Sequence, residues 1–398
     1  MSLRPRALHP LGRGPRLSDA ALALCALSGC SSTSSTPSPP PSACANDVIT
    51  VASDYRSSAV GGFTLDGTGA MTGGVDLGTD PVLATSNDGH TFLISREDAA
   101  VLALDACGFP VSSFKVLAPS ATRAPNPHDL AVASDGRTFV TLFNVPSVAI
   151  LDAAHAPLTS IDTSLLDPDG NPNADAIRIM PVGPNGAEKA FVTLERLDDN
   201  DMLKSEQPSW MLQIDVASST VDQTIPLIGR NPFSVFSRGT TIYLAEPENF
   251  DAIDEPLAGI EVFDAKTATS QMLVSEHDLG ASVAEVAVDA AGDCGAAIVA
   301  DAAPNVNRTS LVTFDPQKGV VLSPASAPVL GPTGNFDLEG LLWVSTSSGE
   351  ALLLGDRRSG ANGRYPVHVF DRTGTCELRE RPDVIFLTQK PIAFRANR

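Results

Sequence analysis

The sequence predicts an all-β chain, a seven-bladed β-propeller closed by the C-terminal strand, and three observations carry that prediction. First, a short apolar run ending in an aspartate and a turn recurs seven times, at Asp66, Asp105, Asp152, Asp215, Asp264, Asp315 and Asp371. Successive aspartates lie 39, 47, 63, 49, 51 and 56 residues apart, long enough for one small sheet per copy. Second, alternating apolar residues flank a polar glycine turn upstream of most copies, as around Asp88-Gly89 and Asp135-Gly136. Glycine accepts the positive φ of a tight hairpin turn, so each such segment reads as two antiparallel strands. Third, the copy at Val48–Asp54 has no strand before it, whereas Lys390-Pro-Ile-Ala-Phe394 echoes Asp80-Pro-Val-Leu-Ala84. The C-terminus is therefore expected to supply the missing strand, lock the ring and leave only short protected edges.

Taken in order, residues 1–29 read as an export signal: Arg4, Arg6, Arg13 and Arg16, then the apolar run Ala20–Leu27, then small residues up to Cys30. Leu27-Ser-Gly-Cys30 resembles a bacterial lipoprotein box, which implies cleavage before Cys30 and lipid attachment to it. Ser31, in place of an aspartate after that cysteine, resembles lipoproteins sorted to the outer membrane, while Asp19 at the head of the apolar run departs from the usual signal. Residues 30–46 are rich in Ser, Thr and Pro, a composition that buries no core and forms an extended tether. Residues 47–398 carry the propeller, with an incomplete first blade from Val48 and further blades starting near Pro81, His128, Asp175, Pro232, Glu285 and Asp337. In each blade the aspartate-ended run is the third strand, and its carboxylate is placed to cap the following turn.

The chain of 398 residues exceeds the size at which single cores stop growing, and repeats remove that limit because each blade packs only on its neighbours. Residues 1–29 carry a net +3 against −20 for the whole chain, so the remainder carries −23. Such a surface repels nucleic-acid phosphates and anionic headgroups, and it favours a cation, a basic protein or a neutral ligand. No stretch approaches the roughly 20 apolar residues of a spanning helix, so contact with the membrane is expected through the lipid alone. Beyond Cys25 and Cys30, four cysteines remain, and adjacency of blades favours the pairs Cys44–Cys107 and Cys294–Cys376 among three possible connectivities.

Pro127-His128-Asp129-Leu-Ala-Val-Ala-Ser-Asp135-Gly136-Arg-Thr-Phe-Val resembles the blade openings of bacterial YVTN-type and NHL-type propellers. By repeat logic the similarity spans residues 46–398. It implies a seven-bladed disc in an extracytoplasmic setting, with binding or scaffolding as the usual role.

Two places hold candidate chemistry. The longest loops, Glu195–Trp210 and Glu246–Gly259, belong to neighbouring blades and bring Glu195, Asp198, Asp199, Asp201, Glu206, Glu246, Glu248, Asp251, Asp254 and Glu255 to one face. Carboxylates so gathered call for calcium, a cationic partner or plain solvation, and Trp210 and Phe250 add apolar anchors. The plainer alternative is a solvated acidic rim, since Asp198-Asp-Asn-Asp201 lacks the glycine and distal glutamate of an EF-hand. The second place is the channel mouth, where Glu339, Glu285, His128 and Asp129 are the candidate metal ligands beside Asp175, Arg178 and Asp337. There, Leu338-Glu339-Gly340 faintly resembles the metal-binding Glu-Gly segment of gluconolactonase-like propellers. A hydrated polar channel is the alternative at that place.

The chain has no Gly-x-Ser-x-Gly elbow, no His-Glu-x-x-His, no phosphate loop and no haem-attachment motif. His90, His155, His277 and His368 have no acidic or histidine partner at ligand spacing and read as surface or packing residues. The expected function is a monomeric, lipid-anchored protein of the cell envelope, in the outer membrane or facing the periplasm, binding an envelope protein or other macromolecule through the acidic loop face. The alternative is a calcium- or zinc-dependent hydrolase of lactonase type working at the channel. A structural envelope protein with no dedicated ligand is a third reading.

Overall fold

The computed structural model describes residues 46–68, 78, 80–85, 89–116, 123–250, 257–301, 305, 307–347 and 349–397. The signal segment 1–29, the lipid-attachment residue Cys30 and nearly all of the tether lie outside the described residues. So do Asp251, Asp254 and Glu255.

Among the described residues, seven antiparallel sheets of three to five strands, the first closed by the last strand of the chain, make a seven-bladed β-propeller. The inner strands are Pro81–Thr85, Pro127–Val132, Ala174–Met180, Ser234–Arg238, Ser282–Val288, Leu338–Thr346 and, for blade one, Pro391–Ala396. Each predicted blade start falls within three residues of one of these strands. The C-terminal strand lies beside Val48–Ser53, with Val48 opposite Ala396, Thr50 opposite Phe394 and Ala52 opposite Pro391, so the ring closes as the echoed segment predicts. Blade four carries an extra hairpin, Leu197–Asp198 with Lys204–Ser205, inside its long loop.

The repeated aspartates do the local work expected of them. The Oδ1 atom of Asp105 accepts from the amides of Cys107 and Phe109 at 2.8 Å, and that of Asp152 accepts from Ala154 and Ala156 at 2.9 Å. Asp66, Asp215, Asp264 and Asp315 make the same turn-closing bond. Asp371 differs, because its strand runs on to Thr373 and no turn begins there; its carboxylate binds Arg381 at 2.6 and 2.9 Å instead.

Packing is between blades. Phe63, Leu353, Val367, Val369 and Phe394 share one core across blades seven and one, and Ile150, Ile161, Ile177 and Val192 share another across blades three and four. Neighbouring blades six and seven are also joined covalently by Cys294–Cys376, the pairing that adjacency favoured. The Cys44 half of the other expected pair is outside the described residues.

Candidate functional site

In this connectivity the loops between second and third strands, and those leading from one blade into the next, share one face with the starts of the inner strands. At the channel mouth on that face, His128 Nδ1 lies 2.7 Å from Asp175 Oδ1, and its ring stacks on Phe143 at 4.2 Å. Burial pushes the imidazole pKa down more than Asp175 lifts it. Asp129 pairs with Arg178, which also donates to the Val235 carbonyl of blade five at 2.9 Å. Glu285 accepts from the amides of Gly340 and Leu341 at 2.9 and 2.7 Å, and burial pushes its pKa up to about 7 despite those donors. Glu339 is held by Arg357 and by the Tyr55 hydroxyl, 3.1 Å from each carboxylate oxygen, while the Arg357 guanidinium sits 4.5 Å over the Tyr55 ring.

These contacts run from one blade to the next: three to four, four to five, six to seven and seven to one. The four residues nominated as metal ligands are therefore occupied separately, His128 by Asp175, Asp129 and Glu339 by arginines, and Glu285 by backbone amides. Among the described residues, no three His, Cys, Asp or Glu side chains come together in a way that holds a metal ion. Asp129 and Glu339 each already face an arginine's charge, and Glu285 accepts two backbone amides.

The acidic loops are only partly the surface that the sequence implies. Glu195, Glu246 and Glu248 are buried, so they contribute no exposed charge. Burial pushes the Glu195 carboxyl well above the usual range, with Asp175 adding to the rise and Arg96 opposing it. Glu248 is neutralised by Arg230 at 2.6 Å. Asp199 accepts from Arg123 at 2.6 Å and from the side-chain amides of Asn171 and Asn173 at 3.2 and 3.1 Å. Asp201 is exposed, and Asp198 is half-buried and bonded to the Asn200 amide at 2.8 Å. Adjacent placement of the two loops does hold: the Ser205 amide donates to Asn249 Oδ1 at 2.8 Å, and Asn249 Nδ2 donates back to the Ser205 carbonyl at 3.3 Å.

Sequence reasoning missed the centre of this region. Arg196 stacks 4.0 Å over the ring of Trp210 and makes a buried pair with Asp167 at 3.2 Å. A polar cavity of about 260 Å³ opens beside it, lined by Asp167, Asp169, Asp198 and Glu206 among others. The segment Asp167-Pro-Asp-Gly-Asn171, with oxygen side chains at alternate positions, was the signal available for it. Also unforeseen are the apolar side chains on this face: Leu165 is 96 % exposed and Met202 73 %, with Leu203, Phe233 and Phe336 also exposed. Met202, Leu203, Phe250 and Phe336 all have φ between 52° and 58°. Bulky residues in the left-handed region are strained, and such strain collects where a loop is held for a purpose.

His368 departs from its expected isolation, with Nδ1 2.6 Å from Glu380 and Nε2 3.2 Å from Asp356. Burial works to lower its pKa, and the two carboxylates more than reverse that. This cluster ties strands within blade seven.

No protein-family model and no curated protein matches the sequence. Solved structures do share the fold. A functionally unknown protein from Desulfotomaculum acetoxidans superposes with a TM-score of 0.51 at 13% identity, over 88% of this chain and 98% of that one. A candidate 6-phosphogluconolactonase from Bacteroides uniformis gives 0.53 at 14% identity, over 87% and 98%. The propeller of Dos1 gives 0.51 at 14% identity, over 85% of each chain. Likeness at these identities extends to the propeller architecture alone.

Proposed function

We propose that this propeller is a lipid-anchored, extracytoplasmic binding module that engages a partner protein through the loop face of blades three to five. The observation that carries the reading is the exposure of four apolar side chains, Leu165, Met202, Leu203 and Phe233, on the loops of blades three to five. Single exposed apolar residues are ordinary on any surface, whereas several on the loops of one face, two of them (Met202 and Leu203) at positive φ, are what an interface requires. Phe250 braces Phe233 edge-to-face at 5.3 Å, so this anchor is held in place before a partner arrives. The remaining carboxylates, Asp198 and Asp201, with Glu206 beside its Lys204 partner, fit a partner with a basic rim. Anchoring through Cys30 in the outer membrane or at the periplasmic surface belongs to the same proposal and rests on the N-terminal sequence.

The test is capture of envelope proteins by the full chain compared with a Leu165→Asp, Met202→Asp, Phe233→Asp variant and with Phe109→Asp, which alters an exposed residue of another edge. The reading expects a protein retained by the parent and by Phe109→Asp, and lost by the triple variant. Capture that survives the triple change, or none above background, overturns it. The hydrolase alternative with calcium or zinc keeps only the fold it shares with a candidate lactonase.

A further inference from the structure

We propose that Glu246 and Glu261 of blade five form a proton-sharing carboxyl pair, with the proton on Glu246, so that the blade loses stability in alkali. The strand register makes the contact. Glu246, the last residue of its strand, stands opposite Gly259, and Glu261 is two residues further along that partner strand. Side chains two apart on a strand share a face, so the two carboxyl groups are diagonal neighbours. Both are 0 % exposed.

Their hydrogen bonds are unequal. Glu261 Oε2 accepts from the amides of Ile228 and Gly229 at 2.8 and 2.7 Å, whereas Glu261 Oε1 and both oxygens of Glu246 have no partner. Two buried charges side by side, with two N–H donors on one oxygen between them, would be strongly unfavourable. A single proton on Glu246 removes one charge and turns that group into an O–H donor for its neighbour Glu261. The amides hold the remaining charge on Glu261, which assigns the proton to Glu246.

The surroundings leave room for little else. A Cβ on Gly229 would lie 1.9 Å from Glu246 Oε2, so the glycine backbone is pressed against the carboxyl. Calcium asks for about six to eight oxygens, and two carboxylates against a packed backbone do not provide that shell. The charged groups nearby are committed elsewhere: Arg230 to Glu248 at 2.6 Å, and Glu276 to Ser282 Oγ and the Val283 amide at 3.1 and 2.8 Å. Burial first, then Glu261, raises the Glu246 pKa well above the carboxylate range, and no cationic side chain opposes them. A raised folded-state pKa gives stability that is full at low pH and lost as pH rises through that pKa.

Glu246→Gln keeps the shape and the donor and removes the titration. In the full-length protein at pH 7, infrared spectroscopy is expected to show a protonated-carboxyl C=O band that Glu246→Gln lacks. The variant is also expected to lose less melting temperature than the parent as pH rises above the ordinary carboxylate range. Superimposable pH profiles with no difference in that band overturn the proposal. So does a calcium-dependent, chelator-reversed melting shift that Glu246→Gln abolishes, since the pair would then hold a cation. If Glu246→Gln does not fold, Glu261→Gln decides the matter, since it replaces the group beside Glu246: a shift in part of the parent's protonated-carboxyl band supports the pair, and a band unchanged in position and size overturns it.

Discussion

Ring closure makes the sharpest prediction, and Phe394→Ala is the perturbation that isolates it. Phe394 lies on the closing strand, is 8 % exposed, and meets Phe63 of blade one edge-to-face at 6.1 Å. Its ring also lies over Gly340 of blade seven, where a Cβ would approach within 3.1 Å. The side chain therefore fills the seam at which the last blade meets the first. Truncating a buried phenylalanine costs about 3–5 kcal/mol, and a site walled by two blades has little freedom to collapse, which favours the upper part of that range. Unfolding entropy near 2.1 cal/mol/K per residue gives about 0.7 kcal/mol/K for a domain of this length, so the melting temperature should fall by about 4–7 °C. Deleting residues 391–398 should do more, because it also removes the ladder along Val48–Ser53 and the Asn397 amide bond to the Asp47 carbonyl at 2.8 Å. Differential scanning calorimetry of the parent, Phe394→Ala, the deletion and the exposed-site control Phe109→Ala measures all four. A melting temperature for Phe394→Ala within about 1 °C of the parent would refute the argument that this seam holds the ring.

Three further outcomes follow from the same contacts. Replacing Cys294 and Cys376 by alanine opens a loop of 82 residues and should cost about 2–5 kcal/mol, seen as a lower midpoint in denaturant that reductant reproduces in the parent. Glu285, with its pKa pushed up to about 7 by burial, should make stability fall as pH rises from about 4.5 to 7 and stay level beyond, a loss of about 3 kcal/mol that Glu285→Gln abolishes. Asp167→Asn leaves Arg196 buried without its carboxylate and should cost about 3–5 kcal/mol in a denaturant titration, whereas Lys204→Ala, which breaks an exposed pair with Glu206, should cost under about 1 kcal/mol.

The legible parts of this protein are those set by short-range rules. Asp105 and Asp152 announce their turns because an aspartate bonds amides two and four residues on, and the Asp-Gly pairs announce hairpins because glycine tolerates positive φ. Closure was readable too, since the final strand repeats the pattern of another inner strand. The loops resisted the same treatment. Glu195, Glu246 and Glu248 look in sequence like members of an acidic rim, yet each is buried, beside Asp175 and Arg96, against Glu261 and Gly229, or on Arg230.

Sequence by itself determined the number of blades, the order of their strands and the strand that closes the ring, and it favoured one disulfide that the structure shows, because repeat spacing, turn chemistry and alternation act within or between adjacent segments. Only the tertiary structure decided which carboxylates face water, which arginine meets which acid across a blade boundary, and that the four nominated metal ligands serve as separate staples. Those outcomes depend on residues dozens to hundreds of positions apart, such as Tyr55 with Glu339, whose approach is fixed by how the sheets pack around the axis.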